Sequence, residues 1–153
     1  MTSSADTTDV HETTDALTAN GPGDGVALDH TPLHLAPAQR VVPIDGFEFD
    51  GPSFERYIAE HTSDAEPGRL VFVEHSDAAW GMWECHPAGD EIVVVLSGVA
   101  RFAQELDGAV VWTRVTAGQA VVNPAGVWHT ANVEVPFSAM YLTPCPGTVH
   151  RPR

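Results

Sequence analysis

The chain contains no lysine, and its seven arginines face 21 carboxylates, for a formal net charge of −14. A surface this acidic repels phosphate backbones, which argues against a nucleic-acid partner. The same excess is a common route to a well-solvated surface. Cysteine is scarce: Cys85 and Cys145 are too few for a disulfide framework, and a reducing, cytoplasmic setting is expected. No apolar run approaches the roughly 18 residues of a membrane span. The first residues are rich in Ser, Thr and Asp and lack the basic cluster and apolar stretch of a secretory signal. A Ser-His-Asp order, a phosphate-binding glycine loop and a Cys-x-x-Cys pattern are also missing.

What is present fits one domain: 153 residues, 43% of them hydrophobic, can bury a core of their own. Residues 1–32 form the exception. They are acidic, hold the breaker cluster Gly21-Pro22-Gly23-Asp24-Gly25 and lack aromatics, so they cannot offset their ordering entropy. A disordered acidic tail is expected there, followed by a single domain over residues 33–153. In that domain Val41-Val42 and Phe47–Phe49 read as short strands. Phe54, Tyr57 and Ile58 share one face of a short helix, with Ser53 as its N-cap.

After Arg69 the chain reads as strand upon strand: residues 70–74, 80–85, 91–96, 99–106, 109–115, 119–122, 127–133 and 137–142. Turn signals separate them, among them Ser97-Gly98, Asp107-Gly108 and Val135-Pro136. The fold class is therefore all-β, an antiparallel sandwich or barrel with one short N-terminal helix.

Two stretches carry chemistry. In Glu84-Cys85-His86-Pro87-Ala88-Gly89-Asp90-Glu91, side-chain alternation sets Glu84 and His86 on one face and Cys85 on the other. A four-residue turn brings Glu91 back beside His86, and His129 lies on a later strand. A histidine on an apolar strand is usually a hydrogen-bonded core group, and a glutamate at a turn is usually solvated. Together, Glu84, His86, Glu91 and His129 can close around one divalent metal.

These stretches resemble the paired motifs of the cupin superfamily. The first reads Glu84-x-His86, four residues, Glu91, six residues, Gly98. The second reads Gly118, Pro124-Ala125-Gly126, His129, with Asn132 near its end. The resemblance covers roughly residues 68–145 and is similar to that of small bacterial single-domain cupins. It implies a double-stranded β-helix, or jelly roll, and a metal centre. Glu84 stands where the family has its first histidine. As a ligand it completes a set of two histidines and two carboxylates; standing back, it leaves a two-histidine, one-carboxylate triad and is free to act as a catalytic base.

The resemblance further implies a metal-dependent enzyme acting on a small organic molecule, Fe(II)-dependent oxygenation being the leading reading. Mn, Zn, Ni or Cu are the other metals considered. A redox-neutral isomerase, lyase or cyclase is the alternative, and a non-catalytic metal- or ligand-binding cupin the third. Met82, Val93, Val95, Val127 and Ala131 share the ligands' faces and are expected to line an apolar pocket, with Tyr141 and Thr143 at its edge. Arg101 could meet an anionic substrate or face solvent. By analogy with single-domain cupins, a homodimer is expected, with the segment around Val41–Phe49 crossing to the neighbour.

Overall fold

The computed structural model describes residues 25–37, 40–61 and 68–153. The expected tail over residues 1–24 lies outside these. Its predicted end at residue 32 comes too late, because Ala27 closes a turn with His30 and Thr31, and the Leu28 carbonyl accepts from Val73 N at 3.1 Å. Residues 25–32 are thus tied to the domain through backbone hydrogen bonds and through buried Pro32, which composition alone does not report.

Two short strands, β1 (Leu33–Leu35) and β2 (Val41–Pro43), precede the helix α1 (Gly51–His61). Then follow β3 (Arg69–Ser76), β4 (Met82–Cys85), β5 (Glu91–Leu106), β6 (Ala109–Thr116), β7 (Ala120–Asn123), β8 (His129–Thr143) and β9 (Val149–Pro152). Every pairing among them is antiparallel, and β2 pairs with β1 of the same chain.

The long strands β5 and β8 pair along most of their length, from Ile92↔Leu142 to Gln104↔His129. Near Glu91, β5 takes β7 on its other side; beyond Gly98 it takes β6. In the same way β8 takes β3 along 137–143 and β4 at His129. The ribbon thus serves two sheets in turn, β2-β1-β3-β8-β5-β7 and β9-β4-β8-β5-β6, and register shifts from Val95 to Ala100 mark the corner between them. This is the predicted antiparallel jelly roll with one short helix.

Ser97-Gly98 and Val135-Pro136, expected as turns between separate strands, lie inside continuous strands at that corner. Glycine is required there: Gly98 has φ +75, and a Cβ on it would stand 2.0 Å from the Pro136 carbonyl oxygen. The signals were real but marked a bend, not a reversal. Asp107-Gly108 does reverse the chain, with both residues at positive φ. Phe47–Phe49 is not a strand, since Phe49 adopts φ 52 and breaks the extended run. The N-cap of α1 is Asp50, not Ser53: the Asp50 carboxylate accepts from Ser53 N at 2.8 Å, so Ser53 lies inside the first turn. Strand β9 was not foreseen. With its exposed ends and a proline, Val149–Pro152 has no apolar alternation to betray it.

The core lies between the sheets, where Phe102 and Phe137 meet edge to face at 6.2 Å and Phe72 stacks on Tyr141 at 4.9 Å. The helix docks through Tyr57, whose hydroxyl lies 2.9 Å from Nδ1 of buried His34 on β1. Among the described residues no helix is long and apolar enough to cross a membrane.

Gly98→Ala is expected to cost about 2–4 kcal/mol through both strain and clash. Gly108→Ala, at φ +78 with nothing within 4 Å of the added Cβ, should cost only about 1 kcal/mol. Denaturant unfolding of the two variants compares them, and equal losses would refute the steric account of the corner.

Candidate metal centre

Glu91 begins β5 in one sheet, whereas Glu84 and His129 face each other across β4 and β8 in the other. Strand β4 does not pair with β5, so the expected local hairpin is replaced by an approach across the sandwich. A straight strand would hold Glu91 about 40 Å from Gln104. The corner instead folds β5 back on itself. Gln104 donates through Nε2 to Asn123 Oδ1 at 2.7 Å, and Asn123 Nδ2 donates to Glu91 Oε2 at 2.9 Å. The turns of the two motifs are also joined: Gly126 N donates to the His86 carbonyl at 3.1 Å, and Ala125 N to Asp90 Oδ1 at 2.8 Å.

All four expected residues come together, with one donor atom from each lying within 4.8 Å of the others. His86 Nε2 stands 3.4 Å from Glu91 Oε1, and His129 Nε2 stands 3.2 Å from Glu91 Oε2. Donors sharing an ion at about 2.1 Å are themselves separated by about 3.0–3.4 Å. Glu84 Oε2 is farther off, 3.7 Å from His86 Nε2 and 3.9 Å from His129 Nε2.

The protonation of the imidazoles follows from their other nitrogens. His129 Nδ1 donates to the Val127 carbonyl at 3.1 Å. Thr148 spends its hydroxyl proton on the Cys145 carbonyl at 2.8 Å, so toward His86 Nδ1, also 2.8 Å away, it can only accept. Both Nδ1 atoms therefore carry hydrogen, and both Nε2 atoms are left buried without a hydrogen-bond partner. Two nitrogen lone pairs and two carboxylates aimed at one spot repel each other unless a cation stands between them. A divalent metal fits this donor set, and the ring orientations are the ones such a site needs.

Without a metal, a proton takes that place. Burial alone would raise the Glu91 carboxyl, but His129 and His86 outweigh it and hold it well below the usual carboxylate range. Burial opposes charge on His129, yet the Glu91 carboxylate raises its pKa above the ordinary imidazole value. Glu91 is completed by Thr143, whose hydroxyl donates to Oε1 at 2.6 Å.

Three supporting residues were not singled out beforehand. His150 on β9 sits 3.0 Å from Glu84 Oε1, a bond that raises the His150 pKa. Thr148 and Asn123 orient His86 and Glu91. No motif flags these side chains; only the return of the chain beside β4 brings His150 and Thr148 in. Cys85, on the opposite face as expected, is buried, and Cys145 is a buried thiol pushed up to about 12 by burial first and then by Glu84 and Glu91.

Beside the donors opens a cavity of about 360 Å³, walled by the rings of Phe49, Phe54, Phe72, Trp80 and Tyr141. Met82 and Thr143 line it as foreseen, but Val93, Val95 and Ala131 do not; they are fully buried between the sheets. Their faces point into the roll, where packed side chains leave no room. Glu74 also lines the cavity, and partial burial followed by the Glu84 charge raises its pKa. Arg101 is exposed and pairs in register with Arg114 on β6, away from the cavity.

No family model matches the chain, and no curated protein does. Among solved structures, a cupin-2 domain protein from Shewanella frigidimarina is 21% identical over 56% of this chain and 71% of that one, with a TM-score of 0.41. A hydroquinone 1,2-dioxygenase from Sphingomonas sp. TTNP3 is 14% identical over 49% of this chain and 58% of that one, at 0.41. A variant of oxalate decarboxylase from Bacillus subtilis is 17% identical over 56% of this chain and 23% of that one, at 0.44. The chain thus spans little more than half the length of the dioxygenase and under a quarter of the decarboxylase.

Replacing Thr148 by Val removes the acceptor that orients His86, and metal affinity should fall about 10–100-fold. Thr148→Ser should restore it. Metal titration followed by calorimetry reads both; an unchanged affinity in Thr148→Val would refute the orienting role. In the native protein the same titration should show affinity rising with pH, and continuing to rise above the ordinary imidazole range, because the Glu91 carboxylate raises the His129 pKa and its proton competes with the ion.

These likenesses carry no argument about the reaction. The strand order of the chain itself is that of an antiparallel jelly roll, and its paired motifs resemble those of the cupin superfamily.

Proposed function

We propose that the protein is a metal-dependent enzyme that oxygenates a small organic molecule with Fe(II). One observation carries this reading: two imidazoles with free Nε2 lone pairs and one buried carboxylate converge at the edge of a ring-lined cavity. Two histidines and one carboxylate with open positions are the ligand set of non-haem iron oxygenases. His86, His129 and Glu91 would hold the metal. When bound, iron supplies Lewis acidity and the one-electron couple that O₂ chemistry needs. The rings exclude water from the reacting molecule, and the buried Tyr141 hydroxyl, which makes no hydrogen bond of ordinary length, can position it.

A specific observation favours a second reading. Glu84 is the most distant of the four donors, has one carboxylate oxygen engaged by His150, and lines the cavity. Such a carboxylate can take a proton from a bound substrate, which suits a redox-neutral isomerase, lyase or cyclase with another divalent metal. The third reading is a binding module without catalysis.

Protein purified without chelator should carry close to one equivalent of a transition metal, and His129→Ala should lose most of it. A metal-free preparation whose melting temperature ignores added Fe, Mn, Zn, Ni and Cu would sink the metal reading. Fe(II)-loaded protein should consume O₂ with some member of a panel of catechols, thiols and aromatic amines. Turnover that continues without O₂ would select the redox-neutral reading for that substrate.

We also propose a homodimer. Strand β2 pairs with β1 on one side and ends its sheet, and further support comes from β6, where Val110, Val111 and Trp112 are exposed on an edge strand. Light scattering at micromolar concentration should give twice the chain mass; a monomer would refute this.

A further inference from the structure

The walls of the cavity are uneven in charge. Three carboxylates line it, Glu74, Glu84 and Glu91, together with five aromatic rings. No arginine lines it and the chain has no lysine, so His150 is the one basic side chain among its described lining residues. That histidine is already bonded to Glu84. A divalent metal would offset Glu84 and Glu91 but leave Glu74 at the cavity wall. Glu74 belongs to β3 opposite Ala139 and keeps an exposed side chain at the cavity wall. The ring of Tyr141, its residue only 2% exposed, forms part of the same wall and stacks on Phe72, while its hydroxyl is buried beside Ser76.

We propose that the substrate is a small organic cation, an amine with an apolar or aromatic body, rather than an acid. The ammonium group is held by Glu74 and the faces of the surrounding rings, while the body fills the cavity. Aromatic rings attract cations through their negative faces, and carboxylates add to that attraction. An anion meets the opposite field, with no arginine to anchor a carboxylate or phosphate. The inference names the substrate class for the enzyme proposed above and rests on that reading for the occupant's role as substrate. The charge preference itself arises from Glu74, the rings and the absence of arginine.

Three probes of similar size and shape test it: tyramine, tyrosol and 4-hydroxyphenylacetate, which end in an ammonium, a hydroxyl and a carboxylate. Calorimetry on Zn(II)-loaded protein at low ionic strength should rank them in that order, with tyramine at least about tenfold tighter than the acid. Added salt should narrow the gap. Glu74→Gln, at an exposed position, should weaken tyramine severalfold and leave tyrosol unchanged. Equal affinities, tighter binding of the acid, an unaltered tyramine affinity in Glu74→Gln, or no binding of any probe at millimolar concentration would overturn the proposal. Repeating the series on His129→Ala separates it from the metal reading. If metal uptake fails in the native protein while tyramine is still preferred, the metal enzyme falls and the cation site stands.

Discussion

A buried carboxylate organises this molecule. Glu91 is 2% exposed and lies between the two sheets, where an uncompensated charge would cost several kcal/mol. Its compensation comes from far along the chain: Asn123, Thr143 and the imidazoles of His86 and His129. Bringing those groups to one point requires β5 to bend sharply and β8 to bend with it. The bend requires Gly98, because the Pro136 carbonyl occupies the space a side chain would need. Corner, ribbon and donor set are thus consequences of one another.

The convergence of the four donor residues was the most legible part of the chain. His86, Glu91 and His129 stand at spacings that alternation and turn length can convert into a common face, and Pro87–Asp90 and Asn123–Gly126 are recognisable turns. The all-β class was legible for the same reason, through the regular run of short apolar segments. The two corners were not, because Ser97-Gly98 and Val135-Pro136 have the composition of a reversal. Only the unbroken pairing of β5 with β8 distinguishes a bend from a turn. Strand β9 was hidden more deeply. Its pairing with β4 from Met82↔Pro152 to Cys85↔Val149 is backbone recognition, and its apolar content is slight.

The least legible element turns out to support the site most closely. Thr148, the residue just before it, fixes the orientation of His86, and through His150 the strand holds one oxygen of Glu84. Arg151 fastens the same strand, lying over the rings of Trp83 at 5.5 Å and Trp128 at 4.4 Å and pairing with Glu105. These contacts account for the placing of Trp83 and Trp128 beside β9. They also give Glu84 a neighbour that bears on whether it serves as ligand or base.

The division of the donors between the sheets has a mechanical meaning. Glu91 belongs to one sheet, Glu84 and His129 to the other, and the two are continuous only through the bent ribbon at Gly98. A cation held at the open end would act as a removable cross-link, closing a loop in the way a disulfide does but without cysteine and without an oxidant. The sandwich would then be pinned by covalent chain at one end and by coordination at the other, its splaying restrained for as long as the ion stayed.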